Sequence, residues 1–327
     1  MTRLLSIQFP SATRQGTIAA NLYLPQLKPP ALLIQVIHGM AEHRLRYAEF
    51  CDYLAEQGYA VCIHDQAGHG ESVDRDEKLG YFGPHDGHDL VLDDITEARR
   101  QSLERIQHEW PETEQPPVVL FGHSMGSFIG RLYCRRYGHE LAGAVFSGTS
   151  GRNPAIPLAL WLARRSVRKN GPLYRDHFLA GLTARGMTAK INPLRTPLDW
   201  LSRDEAIVDA YIADPKCGFA FTAAGYADLY SWLKAISSPQ WAAALPTTCP
   251  VLLISGSADP VGQYGRGPRQ VARWLQATGH QTELRLYEGG RHEMLNEINR
   301  TEVWQDIADW LERVAGRPDP MKQGGIS

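Results

Sequence analysis

The chain has 327 residues, 43% of them hydrophobic, enough for one large mixed domain or for a core that carries an inserted subdomain. Its formal net charge is −2 and no basic block stands out, so nucleic acid is not expected as a partner. No stretch approaches the roughly 18 apolar residues of a membrane span, the N-terminus lacks the apolar segment of a secretion signal, and five scattered cysteines (Cys51, Cys62, Cys134, Cys217, Cys249) contain no C-x-x-C pair; together these predict a reduced, cytoplasmic protein.

Residues 4–9 and Thr17–Leu24 read as strands joined by a turn at Gln15-Gly16. Residues 31–37 form a near-continuous apolar run ending at His38-Gly39, as expected of a strand buried on both faces. Residues 47–57 are amphipathic, with Tyr47, Phe50, Cys51 and Leu54 on one face, and Gly58 ends the helix. Residues 59–64 are a further buried strand, and residues 90–106 a helix with Val91, Ile95, Ala98 and Leu103 inward. Strands follow at 118–121 and 142–147, separated by a helix. The last third repeats the alternation: strand 251–255, helix 267–278, strand Thr282–Tyr287, helix 301–314. Strands alternating with helices predict an α/β fold with a mostly parallel sheet covered on both faces.

Between residues 153 and 246 this rhythm stops. The segment is helical and loop-like, rich in aromatic residues and punctuated by proline, and longer than an ordinary crossover. It predicts a helical cap inserted into a core made of residues 1–152 and 247–315. The tail, 316–327, is rich in Gly, Pro and polar residues and is expected to be disordered.

The run Gly122-His123-Ser124-Met125-Gly126 sits where a strand passes directly into a helix. A turn that sharp forces the serine into a strained conformation and lifts its hydroxyl clear of the sheet, so Ser124 is the candidate nucleophile. A serine hydroxyl needs a base, an orienting carboxylate and an anion-stabilising site. Asp259 follows strand 251–255, and His292 follows Thr282–Tyr287, where a base would come last in the order Ser, Asp, His. His38-Gly39-Met40 ends the third strand, so the backbone N–H groups of Met40 and Met125 are the candidate oxyanion donors. Glu42 and His43 are expected to brace that loop, and Asp65 to be excluded by chain order. His85, His88 and Asp89 are loosely spaced like metal ligands but lack a second cluster, so neither metal nor cofactor is expected.

These residues together resemble the α/β-hydrolase superfamily, and more narrowly its monoacylglycerol lipase and bacterial lysophospholipase-like group, related to the serine aminopeptidases. The resemblance is carried by His38-Gly39-Met40-Ala41-Glu42-His43, Asp65-Gln66-Ala67-Gly68-His69-Gly70-Glu71-Ser72, the Ser124 motif, Asp259-Pro260-Val261-Gly262 and Gly290-Arg291-His292-Glu293-Met294. Asp199-Trp200-Leu201-Ser202-Arg203-Asp204 and Asp214-Pro215-Lys216-Cys217-Gly218-Phe219 look like its bacterial branch. It implies an eight-stranded sheet with strand 2 antiparallel, a cap over the site, and Ser124, Asp259 and His292 as a triad.

The expected activity is hydrolysis of a small ester with an apolar acyl chain through an acyl-enzyme. Amide hydrolysis or acyl transfer would use the same residues, and a non-catalytic binding role would not need them intact. The aromatic residues of the cap suggest an apolar acyl pocket, or equally the cap's own core. Leu158, Leu160, Trp161 and Leu162 precede Arg164, Arg165, Arg168 and Lys169, a pattern that suits transient contact with a lipid surface or, more plainly, a solvated helix face.

Overall fold

The computed structural model describes residues 2–84 and 87–316. The predicted disordered tail, apart from Gly316, lies outside them, as does His85. Eight strands form one sheet: β1 (Arg3–Pro10), β2 (Thr17–Leu24), β3 (Leu33–Ile37), β4 (Ala60–His64), β5 (Val118–His123), β6 (Gly143–Ser147), β7 (Val251–Gly256) and β8 (Thr282–Tyr287). Their order is β1-β2-β4-β3-β5-β6-β7-β8. β2 runs antiparallel to both neighbours, and β3 to β8 run parallel. This is the architecture that the resemblance implies.

The uniform apolar runs are explained by two-sided burial. Leu33 and Ile37 of β3 join one core while Ile34 and Val36 join the other; β7 divides in the same way, Val251 and Leu253 against Leu252 and Ile254. The second core is closed by α1 (Ala48–Glu56) and α10 (Arg300–Ala315), through Phe50, Leu54, Val303, Ile307 and Leu311. The first is closed by α2 (Gly87–Glu109), α3 (Met125–Tyr137) and α9 (Arg266–Ala277), through Val91, Ile95, Ile129, Tyr133, Val271 and Leu275. Each such side chain contributes about 2 kcal/mol on burial. All five cysteines are buried free thiols.

Helix α1 begins one residue later than its periodicity suggests, because residues 44–47 wind more tightly as a 3-10 turn. Helix α2 is longer than predicted at both ends.

Between β6 and β7 lie α4 (Ile156–Asn170), α5 (His177–Ala184), α6 (Glu205–Ala213), α7 (Ala223–Ile236) and α8 (Pro239–Ala243). Tryptophans tie this insertion to the core. The fully buried Trp232 indole donates to His88 O (2.8 Å), and that of Trp241 to Arg131 O (2.7 Å). Arg131 is itself fully buried, its guanidinium lying over the Trp241 ring and donating to Ile236 O, at the end of α7, and to Ser150 O. Phe221, Tyr226, Tyr230, Trp232 and Trp241 of the insertion are therefore core rather than pocket wall.

Candidate active site

The sheet places the site by topology. β3 pairs with β4 on one side and β5 on the other, so the strand order reverses between β3 and β5, where a crevice opens beyond the carboxyl ends. Ser124 follows β5 and Met40 lies in the loop after β3.

Ser124 has φ 52° and ψ −119°, a backbone state that an L-residue holds only under constraint. Its N–H is held by Ser147 O and its carbonyl accepts from Ser127 N and Ser127 Oγ. The flanking glycines permit the close approach: a Cβ on Gly122 would lie 2.4 Å from Gly126 O, and one on Gly126 only 2.1 Å from Ile37 O.

A hydrogen-bonded chain runs from Ser124 to Asp259. Ser124 Oγ donates to His292 Nε2 at 2.8 Å, and His292 Nδ1 donates to Asp259 Oδ1 at 3.0 Å. The fully buried Asp259 also accepts from Val261 N (2.9 Å). Burial pulls the His292 imidazole down. The Asp259 charge and hydrogen bond, with Glu293 and Glu42 behind them, outweigh it, and the pKa lies above its ordinary value. Such a chain can take a proton from the serine and hold the imidazolium that results.

The N–H groups of Met40 and Met125 have no acceptor among the described residues. Gly39 N–H is already engaged by Glu42 Oε1, and Ala41 N–H reaches His69 Nε2 at 3.4 Å, whereas the Met40 N–H between them has no such partner. Ser124, His292 and Asp259 are thus brought together, and the loop that carries Met40 lies against Ser124, where a Cβ on Gly39 would come within 3.2 Å of Ser124 Cβ.

Other residues hold this arrangement, and their roles were not apparent from the sequence. Arg46 bridges Glu42 (2.5 Å) and Glu293 (2.8 and 2.6 Å), joining the Met40 loop to the residue after His292. Burial opposes both carboxylate charges, yet the guanidinium brings both below the ordinary range, Glu293 to about 2. Glu42 therefore braces the loop as expected. Its spacing of four from Arg46 was the available signal.

His123 packs against the His292 ring (centroids 4.9 Å apart), and burial, then the neighbouring His292, pushes its pKa down to about 4. It is a neutral spacer. Trp200 also packs against the His292 ring at 5.1 Å, its carbonyl accepting from His292 N.

The insertion also grips the Met40 loop. Ala41 has φ 52°, and its carbonyl accepts from Tyr211 OH (2.8 Å) and Gly218 N (2.9 Å). His43 Nε2 and Asp214 Oδ2 meet beside it at 2.8 Å. With Cys217 they are the described trio whose ligand atoms all lie within 4.8 Å, but burial pushes that thiol well above its ordinary value, so it offers no ready thiolate. His88 faces Asp89 and Asp228 instead of joining such a group. Asp65 binds the Arg44 and Glu71 backbone, away from His292.

Comparison with known proteins places this geometry. Monoacylglycerol lipase of Mycolicibacterium smegmatis is 28% identical over 295 residues, spanning 90% of this chain and 92% of that one. Human monoglyceride lipase is 27% identical over 298 residues, spanning 89% and 86%. A thermostable carboxyl esterase from Bacillus coagulans, crystallised with glycerol, superposes with a TM-score of 0.87 at 30% identity, covering 95% of this chain and 99% of that one. A family model described as serine aminopeptidase, S33, matches residues 28–299, and the chain belongs to that family of α/β-hydrolases.

Proposed function

We propose that the chain is a serine carboxylic-ester hydrolase that cleaves acylglycerol-like esters through an acyl-enzyme. The observation that carries this is the unbroken chain Asp259–His292–Ser124 beside two unengaged amides.

Ser124 Oγ attacks the ester carbonyl as His292 Nε2 takes its proton, and Asp259 keeps Nδ1 protonated and stabilises the imidazolium. The carbonyl oxygen becomes an anion between the Met40 and Met125 amides, each donor worth about 3 kcal/mol in such sites. His292 then returns the proton to the leaving alcohol. Water, activated by the same imidazole, releases the acid. The lipase and esterase names of the similar proteins support an ester over a peptide, and the glycerol in the similar esterase supports a glyceryl head group.

The test pairs a fluorophosphonate probe with peptide mapping, then compares monoacylglycerols of graded chain length with aminoacyl anilides. Labelling confined to Ser124 and ester turnover abolished by Ser124→Ala are expected. Turnover surviving in a folded Ser124→Ala protein removes the mechanism, and a preference for the anilides removes the substrate class.

A further inference from the structure

Away from the crevice, a cavity of about 630 Å³ opens where α2 and α3 of the core meet α4 and α7 of the insertion. Arg135, Arg136, Arg164 and Lys234 surround it, over a floor that includes Leu92, Leu132 and Leu160. All four cations are exposed, and none makes an ion pair or a hydrogen bond with a carboxylate among the described residues. Asp89 is the acidic residue of the lining, and it lies beside His88 at 3.7 Å.

The surface continues along α4, where Arg165, Arg168 and Lys169 are exposed and also without a carboxylate partner among the described residues. On the same exposed face stand Leu158 (61% accessible) and Trp161 (52%), with the Arg165 guanidinium over the indole. Leu160, by contrast, is buried in the core, and Leu162 half-buried against it. The apolar part of the predicted patch therefore reduces to two residues, while its basic part grows by three, Arg135 and Arg136 of α3 and Lys234 of α7.

We propose that this face docks on an anionic lipid bilayer, with the groove seating the phosphate of a lipid headgroup. Seven cations with no carboxylate partner among the described residues, on three neighbouring helices of a chain with net charge −2, leave the rest of the surface acidic, so the molecule is oriented in an anionic field. The groove pairs cations with a leucine floor, which matches a phosphate joined to an apolar body. Leu158 and Trp161 lie beside it, as side chains that enter the interfacial layer of a bilayer do. A nucleic acid would meet the charges but leave the tryptophan and leucines without an apolar partner. This surface does not depend on the ester chemistry, so either proposal can fail without the other.

The test is co-sedimentation with vesicles of phosphatidylcholine alone or mixed with about one-third phosphatidylglycerol. The wild-type chain is expected to bind the mixed vesicles only, and to lose roughly tenfold or more of that binding in about 0.5 M salt. Combining Arg135→Glu, Arg164→Glu and Lys234→Glu should remove binding to a similar extent, with melting temperature and short-ester turnover held. If that variant does not fold, the three glutamine substitutions take its place. Trp161→Ala should weaken binding less and leave its salt dependence. Equal binding to neutral vesicles, or unimpaired binding by the charge variant, overturns the proposal. So does failure to bind the mixed vesicles while duplex DNA binds, or while inorganic phosphate alone raises the melting temperature.

Discussion

Ser124, Asp259 and His292 hang from the ends of three parallel strands, whereas the insertion reaches the same site through a handful of hydrogen bonds to loop backbone. The strand-borne part is held by close contact that admits no slack: glycines packed on carbonyls, a buried carboxylate, a serine in a forced conformation. The insertion instead grips loop backbone at Ala41 O, His292 N and Glu293 N, and the His43 side chain through Asp214. Rigid placement of the proposed reacting atoms and adjustable placement of their surroundings thus fall to different parts of the chain. Substitutions in the first should therefore abolish function or folding, and those in the second should grade it.

The largest effect is expected at Asp259. Asp259→Asn favours the wrong imidazole tautomer and should lower kcat by about 10⁴-fold, with little change in melting temperature. A smaller loss in steady-state ester kinetics would mean that the insertion, and not the strand ends, orients His292. Gly126→Ala comes next. Its Cβ would meet the Ile37 and His38 carbonyls at 2.1 and 2.6 Å, and backbone cannot move aside, so chemical denaturation should show a loss of about 3 kcal/mol or more. Gly186, in the insertion, has φ 81° and nothing within 4 Å of an added Cβ. Gly186→Ala should cost only its left-handed strain, about 1 kcal/mol.

The same division explains what could be read before any coordinates. Strand order, two-sided burial and the place of Ser124, Asp259 and His292 follow from local signals: apolar runs, a strand-to-helix turn, and loops after strand ends. Arg46 was silent because an isolated arginine near a glutamate looks like a surface pair, and what makes it central is Glu293, 247 positions away. Tyr211 was silent for a similar reason, since its partner is a carbonyl, and carbonyls leave no mark in a sequence. The aromatic content of the insertion pointed toward a pocket as readily as toward a core. Packing of Trp232 and Trp241 against α2 and α3 decided for the core, which only the three-dimensional arrangement could do.

Glu293 links the two parts and should show both behaviours. In the proposed mechanism His292 must be neutral to accept the serine proton, so kcat/KM should rise as pH increases through its raised pKa, placing the acid limb above 6.5. Glu293 is one of the charges that raise it, so Glu293→Gln should move that limb to lower pH. Its own pKa is depressed, from 4.5 to about 2. Its contribution to stability is therefore present above pH 4.5 and is lost as pH falls toward 2. Glu293→Gln should cost about 3 kcal/mol at neutral pH, through the broken bridge to Arg46, and progressively less in acid. An acid limb that does not move would show that Glu293 adds nothing to the field at His292, leaving it to Asp259 and Glu42.

The smallest effect tests the insertion's grip most directly. Tyr211→Phe keeps the ring that lies 4.7 Å from the Arg46 guanidinium and deletes only the hydroxyl that holds Ala41 O. Gly218 N–H remains on the same carbonyl, so the Met40 loop should loosen without collapsing. One net hydrogen bond is worth about 1 kcal/mol, and if that energy positions the Met40 amide it appears in the transition state. The expectation is a fall in kcat of about 5- to 10-fold with KM nearly constant. Affinity for a trifluoromethyl ketone, which forms an oxyanion, should fall by the same factor, while inhibition by glycerol, which forms none, should not change. A rise in KM with kcat intact would instead make Tyr211 a wall of the binding site. In that event the Met40 loop keeps its form without the Tyr211 hydroxyl, held by Gly218 N–H on Ala41 O, by the His43–Asp214 contact and by Glu42 with Arg46.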